Sequence, residues 1–496
     1  MKRGTILLHK IGIRFNRKDF EYDVYSLVKA FYPKSEAVNY YEGEEEPQDC
    51  GGRLLLTYAD TGIHLEFLCG GQCAYTEEIE LDYYADRRET KNAVKQLVYR
   101  ALQSVTGQSL PWGTLTGIRP TKIPMHMLEE GKKNTEIAQY MRETYYCSPQ
   151  KTALAITIAN REREILKEID YENGYSLYVG IPFCPSICLY CSFGSHPLKV
   201  WEKRVDDYLD ALCREITFVS RQMAGRKLNA IYVGGGTPTT LSAEQLRRLL
   251  SHLGNSFSYE DLKEFTVEAG RPDSITEEKL AVMREFPVTR ISVNPQTMNQ
   301  ETLDLIGRKH TVEDVVTIFR RARELGFDNI NMDLIIGLPG EDEAMISHTL
   351  SEIEKLSPES LTIHSLALKR ATRLNLFRDK YEEISFENSA RIMDMTLQCA
   401  RNMEMAPYYL YRQKNIAGNF ENVGYSKVDK AGIYNILIME EKQTIMAVGA
   451  GASTKFVFSH GERIERVENV KDVRQYMERL DEMLERKQKG IETYLK

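Results

Sequence analysis

The stretch YVGIPFCPSICLYCSFGSHP, residues 178–197, places three cysteines in a short loop directly after a strand-like run. Cys184, Cys188 and Cys191 are separated by three and then two residues, so one compact loop can present all three thiols. Three thiols cannot all pair with one another, and a structural zinc site uses four ligands. The loop therefore raises the question of what completes the site.

Two kinds of metal centre fit a loop with three thiols. A four-iron cluster held by three thiolates keeps one iron without a protein ligand, and an open metal position is where a substrate or cosubstrate binds. The alternative is a zinc ion completed by His196, five residues after Cys191. That ligand pattern is uncommon, so the loop favours an iron–sulfur cluster with one open position.

Strand-like runs alternate with segments of helical periodicity through the middle of the chain. This alternation predicts right-handed crossovers and a parallel sheet. Six such units in succession predict an α/β fold with an incomplete (β/α)6 barrel, and a flat doubly wound sheet is the alternative that spacing leaves open. The six strand-like runs are YSLYVGI (175–181), NAIYVGG (229–235), EFTVEAG (264–270), TRISVNP (289–295), NINMDLIIG (329–337) and LTIHSLAL (361–368).

A glycine, a polar residue or a thiol lies at or near the C-terminal end of each of these six runs. In parallel α/β folds, ligands bind at this edge of the sheet. Six such ends on one rim therefore predict a single site. Along the chain they are the cysteine loop, GGGTP (234–238), Glu268, Gln296, Asp333 and the segment from Ala367 through Lys369 to Arg370.

Composition limits the classes of function. The chain has 496 residues, 42% of them hydrophobic and 28% charged, with a formal net charge of −7. This balance is typical of a globular protein, and the acidic charge argues against a nucleic-acid partner. No apolar run approaches the roughly 20 residues of a membrane span, so we expect no membrane insertion. Nine cysteines, an odd number, do not indicate a disulfide framework, and we expect a cytoplasmic protein.

The chain is expected to contain four parts. Residues 1–110 are predicted to form an N-terminal α/β module, and residues 111–172 a linker and helical segment. Residues 173–370 are predicted to form the partial barrel. Residues 371–496, with a helix, several strand-like pieces and a charged terminal helix, are expected to form an α+β domain that covers the substrate.

Six segments of the middle region resemble the radical S-adenosylmethionine (SAM) superfamily. Within it, they are similar to the oxygen-independent coproporphyrinogen III oxidase family, also called coproporphyrinogen dehydrogenase, in a subgroup with a long N-terminal extension. The resemblance covers about residues 175–370. The segments are YVGIPFCPSICLYCSF, IYVGGGTPT, FTVEAGRPDSI, RISVNPQTMN, LIGRKHT and NMDLIIGLPGE.

The resemblance implies a role for several residues, although each alone also has an ordinary structural interpretation. Cys184, Cys188 and Cys191 would bind a 4Fe–4S cluster whose open iron chelates the amino and carboxylate groups of SAM. The resemblance singles out no catalytic side chain. The implied SAM contacts are Tyr178; Gly235, Gly236 and Thr237 at the methionine part; Glu268 and Gln296 at polar groups; Arg308 at the carboxylate; Asp333 at the ribose; and Ala367 at the adenine.

The implied reaction is the decarboxylation of two propionate side chains of coproporphyrinogen III to vinyl groups. The cluster, reduced by a low-potential electron donor such as flavodoxin or ferredoxin, would cleave SAM to the 5′-deoxyadenosyl radical, which would abstract one hydrogen from the propionate. Loss of carbon dioxide and transfer of one electron to an acceptor would then leave the vinyl group. A tetrapyrrole substrate with four negative charges requires cationic side chains to bind it. Lys369, Arg370 and Arg412 are candidates, for which a solvated surface charge is an equally good interpretation.

Two features depart from the family pattern. The oxidases commonly carry a further cysteine two residues after the third, where this chain has Phe193. The heme-chaperone branch shares that variant but typically has a histidine-asparagine motif, and the comparable segment GNFENVGYS (418–426) lacks the histidine. A heme-binding chaperone and another radical SAM enzyme acting on a tetrapyrrole, such as a heme methyltransferase, are therefore the alternatives.

Overall fold

The computed structural model describes residues 8–117, 119–192, 194–367, 372, 374, 388–413, 419–459 and 461–495. Within these ranges the chain forms two compact units. The first contains the described residues up to 157 together with 412 and 413, and the second contains the remainder. Lys369, Arg370 and Phe193 lie outside the described residues.

The first unit is built on a five-stranded sheet with the order β2-β1-β3-β4-β5. β1 pairs in parallel with β2 and β3, and the other neighbours are antiparallel. Its elements are β1 (Lys10–Phe15), α1 (Glu21–Phe31), β2 (Glu36–Tyr41), β3 (Gly52–Ala59), β4 (Gly62–Cys69), β5 (Gln72–Glu80), α2 (Arg87–Thr106), α3 (Lys122–Glu129), α4 (Asn134–Tyr145) and α5 (Pro149–Lys167), whose last turns belong to the second unit.

The segment after α2 is packed into the first unit. Trp112 is fully buried, and the first unit continues to residue 157. Gly113 has a φ of +55°, and a Cβ there would lie 1.9 Å from the carbonyl oxygen of Tyr145. In the predicted linker, residues 111–117 and 119–121 are non-helical, and Trp112 contributes to the core of the first unit.

The second unit contains one sheet of eleven strands, covered by helices. Its elements are β6 (Gly174–Ile181), β7 (Phe183–Cys184), β8 (His196–Pro197), α6 (Leu198–Trp201), α7 (Val205–Gln222), β9 (Lys227–Gly235), α8 (Ala243–Ser256), β10 (Glu264–Gly270), α9 (Glu277–Arg284), β11 (Arg290–Val293), α10 (Gln300–Leu305), α11 (Val312–Glu324), β12 (Ile330–Ile336), α12 (Glu343–Leu356), β13 (Ser360–Ser365), α13 (Ala390–Asn402), β14 (Ala406–Tyr411), β15 (Asn422–Ser426), α14 (Ile433–Glu440), β16 (Thr444–Val448), β17 (Ser453–Phe458), β18 (Arg463–Glu468), α15 (Val473–Glu478) and α16 (Leu480–Tyr494). β7 and β8 form a separate pair.

The six predicted strands are β6, β9, β10, β11, β12 and β13, and they are neighbours in the sheet in that order. Each pair is parallel. A doubly wound sheet reverses its strand order at a switch point, whereas this order never reverses. The structure therefore confirms the partial (β/α)6 barrel and excludes the doubly wound alternative.

Strands from the C-terminal region extend this sheet at both edges. β16 pairs in parallel with β6, and β15 pairs antiparallel with β13. In the described part of the chain the sheet ends at β14 on one side and β18 on the other, without closing. The C-terminal strands thus belong to the same compact unit as the barrel strands.

Several of the helices that cover the sheet begin at side-chain caps, and α8 is an example. In α8, the Ser242 hydroxyl accepts from the N–H of Gln245, whose side chain in turn accepts from the N–H of Ser242. Leu246, Leu249, Leu250 and Leu253 form its buried face. None of the helices described combines the length and apolar character that a bilayer crossing requires.

Candidate cluster and cofactor site

The cysteine loop follows β6 and is closed by the short parallel pair of β7 with β8. Cys184 lies in β7, and the N–H of His196 donates to the carbonyl of Pro182 over 2.7 Å. Cys184 and Cys188 are buried, and Cys191 is half-buried. All three are reduced thiols, which ionise to the thiolates that bind metals.

The glycine-rich loop after β9 packs directly on the cysteine loop. The N–H of Gly236 donates to the carbonyl of Ile181 over 2.7 Å, and the N–H of Thr237 donates to the carbonyl of Phe183 over 2.8 Å. A Cβ on Gly236 would lie 2.5 Å from the Phe183 oxygen and 3.0 Å from Sγ of Cys184. Glycine is therefore needed here for two loops to meet, a role not foreseen from the sequence.

Gly235 brings the same loop against β6. Its φ is +115°, which only glycine adopts readily. A Cβ there would lie 2.9 Å from the carbonyl oxygen of Ile181 and 3.3 Å from the hydroxyl of Tyr178. The backbone at Gly235 consequently passes within contact distance of a predicted SAM-binding tyrosine.

Hydrogen-bond donors surround the buried thiols. Burial raises the pKa of Cys184, while interactions with Thr237 and Ser195 oppose that effect. The Thr237 hydroxyl is 3.5 Å from Sγ of Cys184. Nη1 of Arg271 is 3.6 Å from Sγ of Cys188. These donors would stabilise thiolates in an otherwise apolar loop.

Arg308 is buried beside the same loop. Its Nη1 donates to the carbonyl of Asn294 over 2.5 Å, whereas its Nε has no partner among the described residues. Burial lowers the pKa of this guanidinium, but Tyr190 and Cys188 outweigh burial and raise it. Arg308 is therefore cationic, with a buried donor that fits an anionic ligand group.

Glu268 and Tyr232 form a hydrogen-bonded pair at the ends of neighbouring strands. The phenol of Tyr232 donates to the Glu268 carboxylate. Burial raises the pKa of Glu268 to about 7, with a further contribution from the charge of Asp333. A Cβ on Gly234 would lie 2.9 Å from Oε2 of Glu268, so the glycine-rich loop also leaves room for this carboxylate.

Three tyrosine rings stack beside this carboxylate. Tyr232 and Tyr434 have ring centroids 4.5 Å apart with an interplanar angle of 20°. Tyr178 lies 6.3 Å from Tyr232 at an angle of 15°. Tyr434 comes from α14, far along the chain. Neither Tyr232 nor Tyr434 was identified from the sequence, although Tyr232 lies within the quoted IYVGG run.

Asp333 lies on β12 beside a histidine that the sequence did not single out. Oδ2 of Asp333 is 3.7 Å from Nε2 of His364, and Oδ1 accepts from Nδ2 of Asn331 over 2.7 Å. Burial raises the pKa of Asp333, but interactions with His364, Asn331 and Thr362 outweigh burial and lower it. Asp333 is therefore an ionised acceptor.

Gln296 has a left-handed backbone, with a φ of +71°. Its N–H donates to the carbonyl of Asp333, and its own carbonyl accepts from the N–H of Ile335, each over 3.0 Å. The side chain is 7% exposed, and its Oε1 has no partner among the described residues. A strained, buried and unsatisfied amide is typical of a ligand-binding position.

The remaining candidates differ in their surroundings. Ala367 is half-buried just past β13, where the N–H of Leu366 donates to the carbonyl of Ile336 over 2.9 Å. Arg412 is buried in the first unit, where it donates to the carbonyl of Leu115 and lies over the Trp112 ring. Arg412 is therefore a buried, hydrogen-bonded cation and not a solvated surface charge.

Contacts bring most of the predicted residues to one edge of the sheet. Gly236 and Thr237 contact Cys184, Gly235 contacts Tyr178, Gln296 pairs with β12 at Asp333, and Arg308 interacts with Cys188. Three thiols in one loop are the donor set of an iron–sulfur cluster, and the unpaired atoms of Gln296 and Arg308 fit a polar cosubstrate. In the described ranges, no three His, Cys, Asp or Glu side chains are placed so that they could hold one metal ion together.

Comparisons with known proteins match the part of the chain that forms this edge of the sheet. The family model of the Radical SAM superfamily matches residues 178–353. The oxygen-independent coproporphyrinogen-III oxidase-like protein HemZ of Bacillus subtilis is 41% identical over 476 residues, which cover 94% of each chain. The heme chaperone HemW of Bacillus subtilis is 40% identical over 198 residues, 40% of this chain and 52% of that protein.

A solved structure shares the fold. Coproporphyrinogen III oxidase (HemN) of Escherichia coli, a radical SAM enzyme, aligns with a TM-score of 0.52 and 24% identity, covering 65% of this chain and 73% of that one. Superfamily membership implies a 4Fe–4S cluster and SAM, for which the three cysteines and the edge around Glu268 provide suitable groups. The chain belongs to the radical SAM superfamily and, within it, to the oxygen-independent coproporphyrinogen III oxidase family.

Proposed function

We propose that the protein catalyses the oxygen-independent oxidative decarboxylation of coproporphyrinogen III to protoporphyrinogen IX, a step of heme biosynthesis. The observation that supports this most is the packing of Gly236 and Thr237 on Cys184. It places a glycine-rich loop at the cysteine loop, where a cluster and SAM would lie next to each other. The similarity to the HemZ protein over 94% of both chains supports the choice of substrate class.

The proposed roles follow from the charges of the side chains. When bound, the cluster and SAM would supply the radical chemistry needed to remove a hydrogen from a propionate side chain. Cys184, Cys188 and Cys191 hold the cluster. Arg308 is cationic and presents a planar donor group to the SAM carboxylate.

Two carboxylates complete the proposed SAM site. Asp333 has a lowered pKa and accepts from the ribose hydroxyls. Glu268, with a pKa of about 7, accepts from the SAM ammonium group in its ionised form. A low-potential electron donor such as flavodoxin or ferredoxin would reduce the cluster, and a tetrapyrrole is the proposed substrate.

The test is an anaerobic assay of the full chain reconstituted with iron and sulfide. Coproporphyrinogen III, SAM and a reductant are supplied, and products are identified by mass spectrometry. We expect 5′-deoxyadenosine and a porphyrinogen lightened by two decarboxylations. Cys188→Ser should abolish both products, and Cys213→Ser, a half-buried cysteine in α7, should abolish neither. Formation of 5′-deoxyadenosine with unchanged porphyrinogen contradicts the proposed substrate.

A heme-binding chaperone is the second candidate. The 40% identity to the heme chaperone HemW over 198 residues favours it. In the same assay, this function would appear as stoichiometric uptake of heme without conversion of coproporphyrinogen III. A heavier tetrapyrrole product would instead indicate methyl transfer.

A further inference from the structure

A buried arginine connects the cysteine loop to the end of β10. Arg271 directly follows β10, and its side chain is 4% exposed. Its Nε and Nη2 donate to the two carboxylate oxygens of Asp273 over 2.9 and 2.6 Å. Its Nη1 donates to the carbonyl and the hydroxyl of Ser186, each over 2.9 Å, and lies 3.6 Å from Sγ of Cys188.

The geometry leaves this guanidinium little freedom. A two-point interaction with a carboxylate fixes the plane of the guanidinium group. Because Asp273 occupies one side of the group, Nη1 points toward Ser186 and Cys188 on the other. The guanidinium group itself is shielded from water, since the Arg271 side chain is almost fully buried. The loop between Cys184 and Cys188 is thus tied to the barrel through one charged side chain.

We propose that Arg271 is a positioning residue that anchors the cysteine loop and raises the reduction potential of the cluster. Hydrogen bonds to the sulfurs and nearby charge set the potential of iron–sulfur clusters. A cation beside Cys188 stabilises the electron that the cluster gains from an external reductant. This inference rests on the cluster of the proposed function and is independent of the substrate.

The test compares three variants of the full chain after anaerobic reconstitution, without SAM or substrate. Arg271→Met removes the charge and the donors. Arg271→Lys keeps the charge but cannot donate to Asp273 and Cys188 together. Arg247→Gln is the matched control, since it removes a half-exposed arginine paired with Glu285. We measure iron and sulfide content for cluster loading and circular dichroism for folding. A dithionite titration followed by electron paramagnetic resonance measures the reduction potential.

In Arg271→Met, we expect the ratio of reduced to oxidised cluster at a fixed potential to fall about tenfold. This corresponds to a reduction potential lower by about 59 mV. Arg271→Lys should show a smaller fall, and Arg247→Gln none. Folded Arg271→Met that binds no iron, while Arg247→Gln does, supports the anchoring role. A fully loaded Arg271→Met with an unchanged potential overturns the inference.

Three further outcomes are also decisive. If Arg271→Met does not fold, Arg271→Gln decides because it removes the charge but keeps an amide donor. A lower potential in this variant supports the inference, and an unchanged one overturns it. If the unmodified chain assembles no cluster, the proposed function fails together with this inference. If it assembles the cluster and the variants do not differ from it, only this inference fails.

Discussion

The phenol of Tyr232 donates a hydrogen bond to the carboxylate of Glu268, and burial raises the pKa of that carboxylate to about 7. These residues lie on β9 and β10, which are paired in the sheet. A carboxylate that titrates near neutral pH at the edge of a proposed cofactor site makes the protein sensitive to pH in a defined direction.

Glu268→Gln should remove part of the pH dependence of stability. The pKa in the folded state is about 7, above the ordinary value of 4.5, so the folded state binds more protons than the unfolded state between these values. The carboxyl group therefore contributes a stability that is lost as pH rises through 7. We expect the stability of the unmodified protein, relative to Glu268→Gln, to fall by roughly 2 kcal/mol between pH 5 and pH 8 in urea denaturation.

The control for this measurement is Glu285→Gln. Glu285 is half-exposed, and its hydrogen bond with Arg247 lowers its pKa, so it does not titrate between pH 5 and pH 8. Parallel pH profiles for the unmodified protein and Glu268→Gln would contradict the prediction.

Gly236→Ala should prevent cluster binding. The added methyl group would lie 2.5 Å from the Phe183 oxygen and 3.0 Å from Sγ of Cys184, so one of the two loops must move. We expect iron and sulfide per chain to fall below about half of the unmodified level, in line with a steric cost of about 1–3 kcal/mol. Gly254→Ala in α8 is the control, because its nearest neighbour is 3.8 Å away. Full iron loading of Gly236→Ala would show that the contact is not required.

Gln296→Gly should separate stability from cofactor binding. Glycine relieves the left-handed strain at φ +71°, which costs about 1 kcal/mol, and removes the unpaired amide. We expect slightly higher thermal stability and about tenfold weaker SAM binding by equilibrium dialysis. Ser357→Gly, at φ +50° after α12, should stabilise similarly without affecting SAM. Unchanged SAM affinity in Gln296→Gly would exclude the amide as a contact.

Lys487→Met should strongly destabilise the second unit. Lys487 and Glu215 form a fully buried ion pair over 3.0 Å, and Glu215 also accepts from Tyr476, Asn469 and the N–H of Gly449. Removing the cation leaves the buried carboxylate of Glu215 without its counter-ion, which costs about 3–5 kcal/mol. Urea denaturation measures the loss.

Arg214, which precedes Glu215 in α7, provides a matched control for the buried pair. Arg214→Gln breaks an ion pair with Asp481 that also joins α7 to α16, but both side chains are exposed. Exposed pairs contribute less than about 1 kcal/mol. An equal loss in the free energy of unfolding in Lys487→Met and Arg214→Gln would contradict the prediction that the buried pair contributes more than the exposed one.

Local patterns in the sequence determined the barrel and most of its rim. Each strand–helix unit lies within a few tens of residues, and the alternation alone predicts parallel neighbours. Parallel strands present their C-terminal ends on the same side. One edge could therefore be assigned to the cysteine loop, GGGTP, Glu268 in β10, Gln296 after β11 and Asp333 in β12.

The tertiary structure alone decided what surrounds those residues. Tyr434 reaches Tyr232 from α14, and Arg271 reaches Cys188 across the loop, through contacts between positions that no local periodicity relates. The C-terminal strands extend both edges of the sheet, because strand pairing depends on exposed edge groups and not on order along the chain. The raised pKa of Glu268 likewise depends on burial, which only the folded chain creates.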